Sequence, residues 1–447
     1  MNALEVRAAC TLALVYVLRM LGLFMVMPVL AVAATQFPDY SPMMVGIAIG
    51  GYGLTQAALQ IPMGMMSDRW GRKPVILLGL TVFALGSIVA AMADTMAWMI
   101  AGRVLQGAGA IAGAIMALAT DVAREQQRAK VMAIIGIAIG FSFYIAVLIG
   151  PVIADSWGIA GIFWVTGVLA LACLPLVKWA VPNSPQRVSA ETLPRGDQVW
   201  AMFTSSQLWR LNVSVMLLHM MITLLFVQIP LSLVSLGVAL DSHWSLYLPV
   251  LLVSVVLLAC MMRSSRGKAP KRMLISAIAM LLIAFAMLGS GILNWWLVVT
   301  AMVVFFTGFN YLEANLPALV SSIAPAGQKG TAMGIYASFQ FFGAFLGGVV
   351  SGSIATAYGA QGAYISGIIV AVLWGLIMMG LRTTDKFKRV TLSLDKAIQP
   401  TSEQVNSLEE QAGVIECAVD AQQGLLFLKV DSDFKELEAR ALIKQWG

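Results

Sequence analysis

Charged residues are scarce in this 447-residue chain, at 11% of the sequence, whereas hydrophobic residues make up 60%. Soluble domains contain about 25% charged and about 45–50% apolar residues, so this composition excludes an ordinary soluble protein. Apolar runs of roughly 20 residues, the length that crosses a bilayer as a helix, follow one another with short breaks. Lipid is therefore the main solvent of the chain.

Cysteine and histidine are also scarce, with four and two residues respectively. The cysteines are scattered, with no CxxC pair and no spacing typical of metal ligands, so we expect no metal site. No combination of nucleophile and base is evident, which argues against an enzyme. The sequence indicates no cofactor.

Apolar windows predict twelve transmembrane helices. They lie near residues 7–35, 43–66, 73–93, 97–121, 130–153, 159–181, 208–236, 245–263, 273–292, 295–321, 331–356 and 362–382. Helices are expected because a backbone in lipid must pair its polar groups within its own segment. The predicted fold class is an all-α membrane protein.

Lysine and arginine are absent from every second loop, near residues 36–42, 94–97, 154–160, 237–244, 293–295 and 357–361. The intervening loops carry the basic residues, as cytoplasmic loops do under the positive-inside rule. Both termini are therefore expected in the cytoplasm, which requires an even number of spans. The net charge of +6 follows from this topology and does not indicate nucleic-acid binding.

A polar linker, residues 182–206, divides the spans into two groups of six. It separates an N-terminal six-helix bundle, residues 1–181, from a C-terminal six-helix bundle, residues 207–385. Such a 6+6 division is typical of transporters built from two related halves. Residues 386–447 alternate as β-α-β-β-α, which predicts a small α+β domain, a split βαβ unit without its last strand.

The loop after the second span reads GMMSDRWGRK, residues 64–73. It resembles the signature of the major facilitator superfamily between helices 2 and 3, G-x-L-x-D-R-x-G-R-[KR], with methionine in place of leucine. The matching residues are Gly64, Asp68, Arg69, Gly71, Arg72 and Lys73. A glycine at position 64 would let a neighbouring helix approach closely, and one at position 71 would allow a tight turn. The resemblance implies the twelve-helix fold of this superfamily and secondary transport.

Asp121, at the end of span 4, stands where that family has an acid that pairs with the signature arginine, here Arg72. We therefore predict a charge cluster of Asp68, Arg72 and Asp121. It would lock the outward-facing state and break when the cytoplasmic gate opens. A solvated helix end is the alternative for Asp121.

Span 4 contains RVLQGAG, residues 103–109, which resembles the family's R-x-x-Q-G motif and includes Arg103 and Gln106. A full charge within a span costs about 3 kcal/mol and faces a cavity or a partner. In the family this arginine is linked to proton coupling in exporters; a structural anchor near the periplasmic face is the alternative. Gly136, Gly140 and Gly150-Pro151 match the helix-5 motif of drug/proton antiporters only in part, which mildly favours export.

Few other polar residues lie within spans. The resemblance implies that spans 1, 4, 7 and 10 line a central cavity, and these spans carry Arg19, Tyr16, Gln106 and Asn310 as candidate substrate contacts. Glu313 is the acid deepest within a span, and a carboxyl group removed from water holds its proton more strongly. Histidine exchanges protons near neutral pH. We predict proton coupling by Arg103, His219 and Glu313, with a permanently neutral His219 as the alternative.

Several segments together resemble the YajR-type group of drug/proton antiporters: SDRWGRKP at 67–74, LRMLGLFMVMPVL at 18–30 and PAGQKGTAMGIY at 325–336. This resemblance implies that residues 386–447 are a ferredoxin-like domain similar to small metal-chaperone domains. LSLDKAIQPT, residues 392–401, stands where a metal chaperone carries CxxC, so we expect no metal there. A regulatory or docking role is favoured over metal sensing.

These features predict a proton-coupled secondary transporter of the bacterial inner membrane that exports a small molecule or drug by alternating access. Two alternatives remain: an uptake symporter for a nutrient, and a membrane sensor acting through the C-terminal domain. The expected partners are a small-molecule substrate, protons and the lipid bilayer. We expect a monomer whose C-terminal domain docks on the membrane domain or self-associates.

Overall fold

The computed structural model describes residues 3–123, 125–181, 202–265, 270–292, 294–324, 329–381, 388–393, 401–420, 425–430 and 434–444. The predicted linker, residues 182–206, is described only from residue 202 onward. Most of the segment that stands in place of CxxC, residues 394–400, lies outside the described residues.

Long α-helices make up the membrane part of the chain. Their bounds are α1 Ala3–Met25, α2 Met27–Ala33, α3 Pro42–Trp70, α4 Arg72–Ala91, α5 Met96–Ala108, α6 Ala112–Val122, α7 Glu125–Pro175, α8 Ser206–Ser235, α9 His243–Ser264, α10 Pro270–Leu288, α11 Trp295–Ile323 and α12 Lys329–Met379. We refer to α1–α7 as the N-terminal bundle and to α8–α12 as the C-terminal bundle.

Ten helical segments of the described chain are long and apolar enough to cross a membrane. Two of them, Lys130–Ala180 and Thr331–Met379, are 51 and 49 residues long, about twice what a bilayer requires. Each breaks at a glycine with positive φ, Gly158 at 65° and Gly359 at 67°. Dividing both segments at these glycines gives twelve spans, the number predicted from hydropathy.

The two bundles repeat one another at equivalent positions. Lys73, at the start of α4, donates a hydrogen bond to the main-chain carbonyl of Val181, and Lys271, at the start of α10, donates one to that of Met379. In both bundles the lysine begins the third span and the carbonyl lies at the end of the sixth. The glycine breaks also fall at matching places, so the described chain has the internal repeat typical of transporters.

The bundles pack against each other at the end of α3 that is farthest from residues 64–73. A Cβ atom on Gly46 would lie 2.0 Å from the carbonyl oxygen of Gly348, and one on Gly348 would lie 2.2 Å from that of Gly46. Further along α3, a Cβ atom on Gly53 would lie 2.5 Å from the carbonyl oxygen of Phe341. Backbones come this close only where glycine leaves the space.

The opposite end of the molecule is open. Cβ atoms added to Gly136, Gly140 or Gly334 would meet nothing within 4 Å. Most side chains of α9 beyond Ser254 are exposed, which shows that this part of the helix has no neighbour on much of its surface. The structure is therefore closed at the Gly46 end and open at the end that carries residues 64–73.

Beyond the membrane helices, the described residues form a small sheet with two helices. Its elements are β1 Lys388–Ser393, α13 Ser402–Glu409, β2 Val414–Asp420, β3 Leu425–Val430 and α14 Glu436–Lys444. The strand order is β1-β3-β2, and β3 is antiparallel to both neighbours. Leu392, Leu408, Leu426 and Ile443 belong to a separate apolar core that holds these elements together.

Candidate functional site

Three polar side chains from three helices of the C-terminal bundle meet at one point. The Nε2 atom of Gln340 on α12 lies 2.8 Å from Nε2 of His219 on α8 and 3.5 Å from Oε1 of Glu313 on α11. His219 Nε2 is 3.8 Å from Glu313 Oε2, and the side chain of Glu313 is 38% exposed. The structure thus brings together His219 and Glu313, two of the residues predicted to take part in proton coupling.

Two unpaired polar atoms adjoin this cluster. The buried hydroxyl of Tyr336, one turn before Gln340 on α12, has no hydrogen-bond partner among the described residues, and neither has Oε2 of Glu313. Tyr336 is close enough to Glu313 for an electrostatic interaction. Unpaired buried polar atoms are uncommon in proteins, so their position beside an acid within a span marks this region as a functional candidate.

Arg19 lies inside the N-terminal bundle rather than in the open space between the bundles. One guanidinium nitrogen, Nη2, shares its two N–H groups among three acceptors: Tyr52 Oη at 3.0 Å, Gln56 Oε1 at 2.9 Å and the carbonyl of Gly109 at 3.0 Å. The residue is 1% exposed, and Tyr16, one turn earlier, is also buried. The expectation that both line the cavity is therefore not met in this conformation, because Arg19 turns Nη2 towards polar groups of its own bundle, while Nε and Nη1 have no hydrogen-bond partner among the described residues.

Arg103 is also buried, and it contacts the backbone of α3. Its Nε donates to the carbonyl of Ala48 at 3.2 Å and its Nη1 to Gln106 Oε1 at 2.8 Å, while Gln106 Nε2 donates to Ser87 Oγ at 2.8 Å. Ala48 lies on the stretch of α3 against which α12 packs. Neither Arg103 nor Gln106 lines the cavity in this conformation, and the contacts favour the structural-anchor alternative for Arg103.

Asn310 bridges the two bundles at mid-depth. Its Nδ2 donates to the hydroxyl of Tyr144 on α7 at 2.9 Å. Beside this hydrogen bond, the ring of Phe143 contacts those of Phe226 and Phe306, with centroids 6.0 and 6.2 Å apart. Asn310 is therefore an interface residue here, at the point where the closed and open ends meet.

Gly71 makes the turn between α3 and α4, with φ 95° and ψ 152°, a conformation that suits only glycine. The turn directs Arg72 back against α3, where it pairs with Asp68 and donates to Ser67 Oγ at 2.7 Å. Its Nε lies 3.1 Å from Oδ2 of Asp121 at the end of α6. The predicted contact of Asp68, Arg72 and Asp121 is thus confirmed, with Ser67 as a partner that sequence analysis missed.

The charge cluster lies entirely within the N-terminal bundle, and it is intact although the end that carries it is open. The expectation that it breaks on opening is not met here, because α3, α4 and α6 remain together. The proposed close approach at Gly64 is likewise absent, since a Cβ atom there would meet nothing within 4 Å. Arg69 is exposed, and Lys73 binds the end of the sixth span.

Tyr52 is the functional candidate that sequence analysis missed most clearly. Its hydroxyl accepts from Arg19, its ring lies 5.0 Å from the guanidinium carbon of Arg103, and its centroid is 6.4 Å from that of Phe341 on α12. It therefore touches both buried arginines and the other bundle. A signal existed in the sequence: Tyr52, Gln56 and Gln60 recur every fourth residue and form one polar stripe on α3.

A cavity of about 300 Å³ remains between the bundles at the closed end. Its polar lining includes Tyr40, Gln228, Ser232 and Ser235, and the rest of the wall is largely apolar. None of the residues predicted to bind substrate or protons lines this cavity.

Comparison with known proteins identifies the family. The model of the Major Facilitator Superfamily matches residues 12–348 and 266–428. The chain is 36% identical over 430 residues to the inner membrane transport protein YajR of Escherichia coli strain K12, covering 96% of this chain and 95% of that protein. An uncharacterized transporter of Buchnera aphidicola subsp. Acyrthosiphon pisum is 33% identical over 78% of this chain and 90% of its own.

Solved structures share the fold at lower identity. A bacterial homologue of the human lysosomal transporter Spinster, in an inward-facing and occupied conformation, has a TM-score of 0.70 and 14% identity, covering 85% of this chain and 97% of its own. The nucleoside transporter NupG, as a point mutant, has a TM-score of 0.68 and 14% identity, covering 84% and 99%. With its multiple spans and these relatives, the chain belongs to the major facilitator superfamily of secondary transporters and is not an enzyme.

Proposed function

We propose that this protein is a proton-coupled exporter of a small molecule, located in the bacterial inner membrane and working by alternating access. The distribution of basic loops supports a topology in which both termini and residues 64–73 face the cytoplasm. In that topology the present conformation is closed towards the periplasm and open towards the cytoplasm. The relative YajR is itself an inner membrane transport protein, which supports the location.

The cluster of His219, Glu313 and Gln340 is the observation that carries the proton coupling. An ionisable acid within a span is costly and is kept where it faces a partner or a water-filled space. Glu313 does both, with a histidine 3.8 Å away and part of its side chain exposed on the open side. Such a pair can accept a proton from one side of the membrane and release it on the other.

The glycine-rich surfaces support alternating access. Gly46 and Gly348 pack backbone against backbone at the closed end, whereas Gly136, Gly140 and Gly334 at the open end face free space. Rocking of the bundles about the Tyr144–Asn310 contact would open the Gly46 end and close the opposite end. The cluster of Asp68, Arg72 and Asp121 would then brace α3, α4 and α6, so that the N-terminal bundle moves as one body.

We assign residues 386–447 to a ferredoxin-like domain with a regulatory or docking role. The parallel strands β1 and β2 flank the antiparallel strand β3, which is the arrangement of the first three strands of a split βαβ unit. A monomer with this domain in the cytoplasm is the arrangement we favour.

Flux measurements with the purified full-length protein in proteoliposomes test the proposal. A panel of anionic, zwitterionic and lipophilic cationic compounds is screened with and without an imposed pH gradient. We expect a compound to be driven against its gradient in exchange for protons, and Glu313→Gln to abolish that drive. Asp94→Asn, in an exposed loop, is the matched control and should leave flux unchanged.

The outcomes separate the alternatives. Movement of substrate in the same direction as protons would establish an uptake symporter instead. Pumping that survives in Glu313→Gln would overturn the assignment of the proton site. Removal of residues 386–447 should leave flux measurable; a membrane-inserted but silent protein would favour a sensor.

A further inference from the structure

The hydrogen-bond partners around His219 are compatible with one particular tautomer of its ring. Its Nδ1 lies 3.1 Å from the main-chain carbonyl of Val215, which can only accept, so Nδ1 carries a proton. The opposite nitrogen, Nε2, lies 2.8 Å from the amide nitrogen of Gln340, which can only donate. With the amide nitrogen of Gln340 facing it, Nε2 presents its lone pair, which corresponds to the neutral Nδ1–H tautomer.

The same amide group of Gln340 also reaches the acid. Its nitrogen is 3.5 Å from Oε1 of Glu313, so one NH₂ group lies between the histidine and the carboxylate. A proton arriving at His219 Nε2 would place two donors face to face. The imidazolium can form only if the Gln340 amide turns over to offer its oxygen, or withdraws and lets Nε2–H approach Glu313 Oε2 from the present 3.8 Å.

We infer that Gln340 is a positioning residue for proton transfer: its amide holds His219 in the neutral Nδ1–H tautomer and must reorient before His219 accepts a proton. This inference rests on the proposed proton-coupled function and adds a residue and a step to it. Among the residues that the structure describes, the titratable groups beside His219 on neighbouring helices are Glu313 of α11 and, next to Glu313, Tyr336 of α12.

Gln340 lies on α12 next to a residue that contacts the N-terminal bundle, so its reorientation can be coupled to the contact between the bundles. The next residue, Phe341, places its carbonyl oxygen where a Cβ atom on Gly53 of α3 would be only 2.5 Å away, and its ring contacts that of Tyr52. A shift of α12 that accompanies the reorientation of the amide would therefore change the contact between α12 and α3.

The tautomer is directly measurable because the chain has only two histidines. Full-length protein labelled with ¹⁵N-histidine is placed in lipid nanodiscs at alkaline pH, and the His219 signals are assigned by their loss in His219→Gln. We expect the wild type to show a protonated Nδ1 and an unprotonated Nε2, although histidine in water prefers the opposite tautomer. A dominant Nε2–H form in the wild type would overturn the inference without any variant.

Gln340→Leu removes the donor at Nε2, and the Nε2–H form can then donate to Glu313. We expect the ratio of Nδ1–H to Nε2–H to fall by about fivefold or more, the equivalent of one hydrogen bond. The matched control is Gln361→Leu, a glutamine of the same helix that bonds to the Gly289 carbonyl instead, and it should leave the His219 spectrum unchanged. An unaltered tautomer ratio in Gln340→Leu would refute the role of Gln340. The NMR experiment does not measure transport, so its result does not depend on the outcome of the flux experiment.

Discussion

The glycine contact between α3 and α12 allows the most direct test of how the bundles are held in this conformation. In Gly348→Ala the new Cβ atom would stand 2.2 Å from the carbonyl oxygen of Gly46, whereas ordinary contacts begin at 3.4 Å. The helices must therefore separate by about 1.2 Å, the difference between those two distances. Because the clash is with backbone, no side-chain rotation relieves it.

Overpacking of this kind costs typically about 1–3 kcal/mol. The cost applies only to the conformation in which the Gly46 end is closed, so it shifts the equilibrium towards the opposite conformation by about 5- to 150-fold. Gly375→Ala is the matched control, since Gly375 lies on the same helix and a Cβ atom there would meet nothing within 4 Å.

The assay is a distance measurement by pulsed electron paramagnetic resonance across the open end. Spin labels are attached at Met65 on α3 and Arg263 on α9, both exposed, after the three accessible native cysteines have been replaced by alanine; these are Cys10, Cys260 and Cys417. We expect Gly348→Ala to move population to a shorter distance as this end closes. A distribution identical to that of Gly375→Ala would show that the glycine contact does not control the conformation.

Two further predictions concern the loops. Gly71→Ala should lower the free energy of unfolding by about 1–3 kcal/mol, because φ 95° with ψ 152° suits only glycine. Gly64→Ala should not lower Tm in the same thermal melt, because Gly64 lies inside α3 with free space around it and alanine favours a helix over glycine. Equal Tm values for the two variants would contradict this. The main-chain N–H groups of Met96, at 2.8 Å, and Ala97, at 3.3 Å, hold the pKa of Asp39 below its ordinary value of 3.8. A depressed pKa stabilises the fold above about pH 4, and this stabilisation is lost as pH falls through the folded-state pKa. Asp39→Asn should therefore lower Tm at neutral pH but not in acid. A Tm difference that stays constant with pH would refute the charge-based account.

Hydropathy was sufficient to predict the spans, because lipid imposes both a length and a composition on every helix that crosses it. The differences lie in two spans, each divided into two helices (α1 and α2, α5 and α6), and in the connections. Residues 154–160 and 357–361 were predicted as loops, yet the helices run through both and break at one glycine each, Gly158 and Gly359. A single residue with positive φ is enough to turn the chain, and hydropathy does not register it.

The orientation of polar side chains within spans was predicted less well. Arg19 was expected in the cavity because the family resemblance places span 1 there, and Arg103 was predicted to take part in proton coupling, with a structural anchor as the alternative. A charge in lipid needs a partner, but hydropathy does not say whether that partner is the cavity or a neighbouring helix. In the structure, neutral groups such as Tyr52 and Gln56 supply it within the bundle. Glu313 instead lies beside Gln340 and His219 with its side chain 38% exposed, and its role in proton coupling stays a prediction.

The two bundles thus have similar backbone arrangements but carry different functional side chains. Buried cations lie in the N-terminal bundle, a titratable pair lies in the C-terminal bundle, and Tyr52 and Phe341 are in contact between them. If protonation shifts the balance between conformations, linkage requires that a shift in conformation change the affinity for protons by the same factor. Gly348→Ala, which touches neither His219 nor Glu313, must then alter proton uptake by the purified protein, by at most the factor by which the two conformations differ in proton affinity. A variant that changes the distances but leaves proton uptake unchanged would show that the site and the α3–α12 contact are independent.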